Sequence, residues 1–166
     1  MKEYKEFQWG VLILAFLIPT HIFLFISFIL QLGSRPIDMN GFIIINLVFA
    51  ATDALFYGMT TKVTDEKVVI LFGIGLIRRT IGLNRIASVV NVQNPWYYGW
   101  RIHFIPNGML YNISGSYGVE LTLNDNGRAI RIGTKNQKQL REEILKRLKP
   151  HPRPPSGWGG ESAQQT

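Results

Sequence analysis

The sequence predicts a two-helix membrane hairpin followed by an antiparallel, mainly-β domain that one C-terminal helix closes. Three observations carry this. Trp9 to Leu30 is an uncharged apolar run of 22 residues. A second apolar run, Gly41 to Met59, follows a short polar turn. From Thr60 onward the hydrophobic period becomes two, and turn residues recur every few positions.

The first run reads WGVLILAFLIPTHIFLFISFIL. At about 1.5 Å of rise per residue it crosses the roughly 30 Å hydrocarbon core of a bilayer. A secretory signal has a shorter apolar stretch and a small-residue cleavage site, and neither is present. The expectation is a retained helix, with Pro19 removing one backbone hydrogen bond in mid-span. The second run, GFIIINLVFAATDALFYGM, carries one charge, Asp53, and one amide, Asn46. Residues 33–40 join the two, so the helices are expected to be antiparallel.

The connecting loop holds only Arg35, whereas Lys2, Lys5, Lys62 and Lys67 flank the other ends. By the positive-inside rule both termini face the cytoplasm of a multi-pass, inner-membrane protein. Tyr4, Phe7 and Trp9 at one end and Phe56 and Tyr57 at the other suit aromatic anchoring at that interface. The expected organisation is an anchor over 1–59, with spans at about 9–30 and 41–59, a β domain over 60–149 and a tail over 150–166. The tail is rich in Pro, Gly, Ser and Gln and is expected to be disordered.

Composition fits this division. The chain has 166 residues, 17% of them charged, with a mean hydropathy of +0.09. That hydropathy averages an apolar anchor with a basic domain. Residues from Thr60 onward hold 15 of the 18 Lys and Arg and 7 of the 11 Asp and Glu, a net +8. There is no cysteine, which removes disulfides, thiol catalysis and thiolate metal sites together.

Within the β domain, Thr60–Thr64 and Lys67–Phe72 flank Asp65-Glu66 as a hairpin. Leu76–Ile81 and Ile86–Val92 are two further β-branched runs. Arg101–Ile105 and Met109–Ile113 flank Pro106-Asn107-Gly108, and Val119–Leu123 and Arg128–Ile132 flank residues 124–127. Asn107-Gly108 is a strong hairpin signal, and residues 124–127 read as another hairpin turn. Seven or eight closely spaced short strands imply an antiparallel sandwich or barrel. Leu140, Ile144, Leu145 and Leu148 mark one face of a closing helix, capped by Thr134 or Asn136 and stopped by Pro150.

Seven strands and a C-terminal helix are the order of elements in a pleckstrin-homology-like barrel. The segments NPWYYGW (94–100), NGMLYNISG (107–115), VEL (119–121) and RIGT (131–134) resemble the bacterial pleckstrin-homology domain family. That family includes members with two membrane helices before the domain. The resemblance covers about Thr60 to Leu148 and implies the PH-like antiparallel barrel of about seven strands. Arg101, His103 and Met109 depart from the family pattern, and the family carries no single activity.

Three groups of residues are candidates for function. His21 and Asp53 lie at similar depths in antiparallel helices. They read either as a proton- or ion-sensing pair, or as glue between helices or protomers, with Thr20, Asn46 and Thr52 as further partners. Trp96, Tyr97, Tyr98, Trp100 and Arg101 form an aromatic loop. It reads as a protein-contact surface, a lipid-contact surface, or simply packing at a barrel end. Lys62, Arg78 and Arg79 are candidates to face anionic lipid. The short acidic turn Asp65-Glu66 argues against a specific phosphoinositide site. The basic residues form no recognised nucleic-acid module.

An enzyme is not expected. His103 and His151 are the only histidines outside the apolar runs, and Glu120 and Asp125 face no implied carboxylate. Gly73-Ile74-Gly75 lacks the context and the lysine of a phosphate loop. No cofactor, metal or small-molecule substrate is implied. The expected role is a membrane-tethered interaction or scaffold module, presenting its barrel to a protein partner or to a second copy. The alternatives are an anionic-lipid-responsive module and a subunit of an oligomeric transporter or channel built on His21 and Asp53.

Overall fold

A computed structural model describes residues 3–95, 102–125 and 127–148. The chain begins with a strand, β1 (Tyr4–Trp9), followed by helices α1 (Val11–Ile29) and α2 (Met39–Phe56). Three strands follow: β2 (Gly58–Val63), β3 (Lys67–Phe72) and β4 (Ile77–Gly82). A single 3₁₀ turn, Leu83–Arg85, leads to β5 (Ile86–Gln93). The remaining elements are β6 (Ile102–Ile105), β7 (Gly108–Tyr111), β8 (Tyr117–Leu123), β9 (Ala129–Gly133) and helix α3 (Gln137–Arg147).

The strands form two sheets. The first has the order β1-β2-β3-β4 and is antiparallel throughout. The second has the order β5-β8-β9-β7-β6. Its β7 and β9 run parallel, with Gly108 opposite Ala129 and Tyr111 opposite Ile132. The expected all-antiparallel arrangement is corrected at that pair. The two hairpin turns specify antiparallel partners only for their own strands. The contact between hairpins is made through Gly108, whose missing side chain leaves room for the Ala129 backbone.

The apolar faces of both sheets meet in one core, with Met59, Ile70, Phe72, Leu121 and Ile132 fully buried. Leu140 and Ile144 of α3 complete it, while Leu145, expected on the same face, is exposed. Asn136 caps α3, its Oδ1 accepting from Gln139 N–H, and Thr134 Oγ1 accepts from Asn136 N–H.

Strand β1 is the main departure from expectation. It pairs with β2 from Tyr4↔Val63 to Trp9↔Gly58. Trp9 therefore lies in a strand, not in the first helix, and the expected boundary at Thr60 falls inside β2. The helical hairpin is an insertion between two neighbouring strands of one sheet. Residues before α1 and after α2 consequently lie side by side.

The two helices are long and apolar enough to cross a membrane. Their large apolar side chains point outward, among them Phe16, Phe23, Ile44 and Leu47. Only Leu17 and Ser27 are buried in α1, and no residue of α2 is.

Candidate functional site

His21 and Asp53 come together between the helices. His21 Nε2 lies 3.7 Å from Asp53 Oδ2, and the His21 ring sits 5.4 Å from that of Phe49. On its other side, His21 Nδ1 is 2.9 Å from the Leu17 carbonyl oxygen. A carbonyl only accepts, so Nδ1 must carry a hydrogen. Asp53 Oδ1 is buried and finds no partner among the described residues.

Thr20, Asn46 and Thr52 do not join this pair. Each donates to the carbonyl four residues back in its own helix, to Phe16, Phe42 and Val48 respectively. This intrahelical bond satisfies a donor without a partner helix. The expected set of interhelical polar contacts thus reduces to His21 and Asp53, supported by stacking of Phe28 on Phe42 at 4.3 Å.

Below the helices lies a joint made of backbone hydrogen bonds. Gly10 N–H donates to Tyr57 O (2.8 Å), Gly73 N–H to Gly58 O (2.8 Å) and Ile74 N–H to Ala54 O (3.0 Å). The last bond satisfies a carbonyl in the final turn of α2, which has no intrahelical donor of its own. Close approach requires glycine at these points. A Cβ on Gly73 (φ +50°) would lie 2.0 Å from Ala54 O, and one on Gly10 would lie 2.6 Å from Phe56 O. Phe7, Trp9 and Tyr57 form an aromatic cluster at the same level, with ring centroids 5.0–6.2 Å apart.

A polar seam holds β1 to the second sheet. Gln8 is fully buried, donating from Nε2 to Gly133 O (2.8 Å) and accepting from Ser114 Oγ (3.3 Å). Glu6 accepts from Thr134 Oγ1 (2.6 Å), from Lys135 N–H (2.9 Å) and from Tyr4 OH (3.0 Å). Asn112 Nδ2 donates to Gly115 O, turning the chain so that Ser114 reaches Gln8. Burial, and then the Glu6 carboxylate, push the Tyr4 phenol well above its ordinary range. Residues of the 107–115 and 131–134 segments therefore act here in positioning β1. Sequence reasoning expected Tyr4 as an aromatic anchor at the interface and missed Glu6 and Gln8, whereas Tyr4 packs against the core and bonds to Glu6. The spacing of two between these residues was the available signal.

Several basic residues of the described domain form ion pairs. Lys62 sits 3.6 Å from Glu3, Arg131 pairs with Glu120, Arg85 with Asp125, and Arg147 with Glu143 and Asp65. The Arg147 guanidinium, followed by Lys146, holds the Glu143 carboxyl below its usual range. Arg78 and Arg79 differ. Both are exposed on β4, an edge of the first sheet, with no ion pair among the described residues.

The aromatic loop Trp96, Tyr97, Tyr98, Trp100 and Arg101 lies outside the described residues, as does the tail over 150–166. Among the described residues no group of three or more His, Asp or Glu is placed to hold a metal ion. Comparison with protein-family models, curated proteins and solved structures gives no match.

Proposed function

We propose that the protein is a membrane-tethered interaction module, whose helical hairpin anchors a pleckstrin-homology-like barrel at the cytoplasmic surface of a bacterial inner membrane. The observation that carries this reading is the insertion of α1 and α2 between paired strands β1 and β2. A hairpin so inserted crosses a bilayer an even number of times, and its two ends emerge on one side. Cleavage after α1 would remove β1 and its seam, which supports a retained helix. The outward apolar side chains of both helices suit lipid as their solvent. The excess of Lys and Arg beyond the hairpin supports the cytoplasmic orientation.

The order of elements supports the barrel. Setting aside the helical hairpin and the β6–β7 hairpin leaves seven strands, β1 to β5 with β8 and β9, followed by α3. That count, followed by a closing helix, supports the pleckstrin-homology-like reading. The function follows from position. A domain joined to both ends of its anchor through paired strands, and to the last turn of α2 by the Ile74–Ala54 bond, offers its far surface to a protein partner or a second copy.

A photocrosslinking residue at Tyr98 in native membranes tests this. The expected product is a discrete protein adduct, either to one partner or to a second copy, lost in a Trp96→Ala, Trp100→Ala variant that still folds. Labelling of lipid alone contradicts it. The His21–Asp53 contact favours a second reading, a subunit of an oligomeric proton pathway. Proton flux in proteoliposomes that Asp53→Asn abolishes would establish that reading instead.

A further inference from the structure

We propose that the β3–β4 turn, Gly73 to Leu76, is a second membrane contact, an apolar wedge in the lipid interface with Arg78 and Arg79 at the level of the headgroup phosphates. The proposal rests on α1 and α2 being the membrane anchor.

The bond from Ile74 N–H to Ala54 O sets the height of this turn. Ala54 lies inside the apolar helix, two residues before its end at Phe56. The tip of the β3–β4 hairpin therefore does not stop below the membrane helix but rises beside its last turn. The side chains there are apolar and uncovered, with Ile74 64% and Leu76 74% exposed. Beside a membrane-spanning helix they meet the boundary between headgroups and acyl chains. The Phe7, Trp9 and Tyr57 cluster marks the same level two strands away across the sheet.

The charges fall where a lipid surface needs them. Strand residues advance about 3.3 Å each. Arg78 and Arg79 therefore sit about 7 and 10 Å from Leu76 along β4, within side-chain reach of the headgroup layer. Both are exposed and unpaired among the described residues. No carboxylate occurs anywhere in residues 67–119, so nothing acidic in that stretch opposes approach to phosphate. The chemistry selects phospholipid headgroups with acyl chains behind them. A soluble phosphate would use the arginines but leave Ile74 and Leu76 in water.

The absence of cysteine allows a direct test on the full chain. Spin labels are placed singly by Ile74→Cys, Ile44→Cys in the second turn of α2, and Glu66→Cys at the opposite end of β3. Each protein is reconstituted in vesicles of mixed zwitterionic and anionic phospholipid. Collision with oxygen is compared with collision with a water-soluble nickel complex. The expected result is oxygen-dominated relaxation at Ile74 and Ile44 and nickel-dominated relaxation at Glu66. A lipid-buried label at Ile44 with a water-exposed label at Ile74 overturns the wedge and leaves the anchor standing. Water exposure at both overturns the anchor and the wedge together. An Ile74 label shielded from both reagents means protein covers the turn, which also overturns the proposal.

Discussion

The helical hairpin and the β domain follow opposite rules for the same kinds of side chain. In the β domain, apolar residues such as Leu121 and Ile132 face inward, and the sheets meet over them. In α1 and α2, residues such as Phe23 and Leu47 face outward, and almost nothing is buried between the helices. Polar groups differ in the same sense. Thr20, Asn46 and Thr52 bond within their own helix, whereas Glu6 and Gln8 bond to partners more than 100 residues away. The difference teaches that burial follows the surrounding solvent. Helices anchored in lipid, as proposed, would satisfy their polar groups locally, while a domain in water hides its apolar groups and makes long-range polar contacts. The two regimes meet at Gly10, Gly58 and Gly73, where backbone touches backbone.

The largest break in this comparison is expected at the joint. Gly73→Val would drive a Cβ into Ala54 O at a residue with φ +50°. About 3 kcal/mol or more of stability should be lost, read as earlier thermal unfolding of the full chain in detergent. Next comes the contrast itself. Leu121→Ala should cost about 2–5 kcal/mol by opening a core cavity. Phe23→Ala, which leaves no cavity in the protein, should stay within about 0.5 kcal/mol. Equal losses at the two sites in chemical unfolding would mean that the helices are packed like a soluble core.

The seam of β1 comes third. Gln8→Ala leaves the Gly133 carbonyl without its buried donor and should cost about 1–3 kcal/mol, measurable as faster proteolysis of the N-terminal strand. The smallest effect concerns pH. Tyr4 is held neutral in the folded state, so its contribution is present below the ordinary phenol value of 10.0. It declines above that value, as the unfolded chain ionises first. Ultraviolet titration should show one late-titrating tyrosine that disappears in Tyr4→Phe.

These contrasts also explain what could be read from the sequence. The helical hairpin and the closely spaced strands were legible because burial and composition agree there. Asp65-Glu66 between alternating runs and Asn107-Gly108 each mark a turn by local chemistry alone. Strand β1 was not legible because its pattern is inverted. Glu6 and Gln8 point inward, while Phe7 and Trp9 point outward beside the helix root. Partners for the inward residues lie at Ser114, Gly133 and Thr134, which no local reading supplies. The parallel β7–β9 pair was hidden for the same reason, since only the fold brings two hairpins together. At the candidate site, matched helix depths brought His21 and Asp53 together on paper, and the structure holds them 3.7 Å apart. The ion pairs of Lys62, Arg85 and Arg147 with Glu3, Asp125 and Asp65 were illegible, because only the fold brings those partners together.

The account turns on the helical hairpin crossing a bilayer while both of its roots stay with the β domain. Single cysteines at Ser34, in the loop between α1 and α2, and at Glu66, in the β2–β3 turn, can be probed with a membrane-impermeant maleimide in oriented vesicles. The account predicts that Glu66→Cys reacts only from the cytoplasmic face and Ser34→Cys only from the opposite face. Reaction of both from the same face would contradict it.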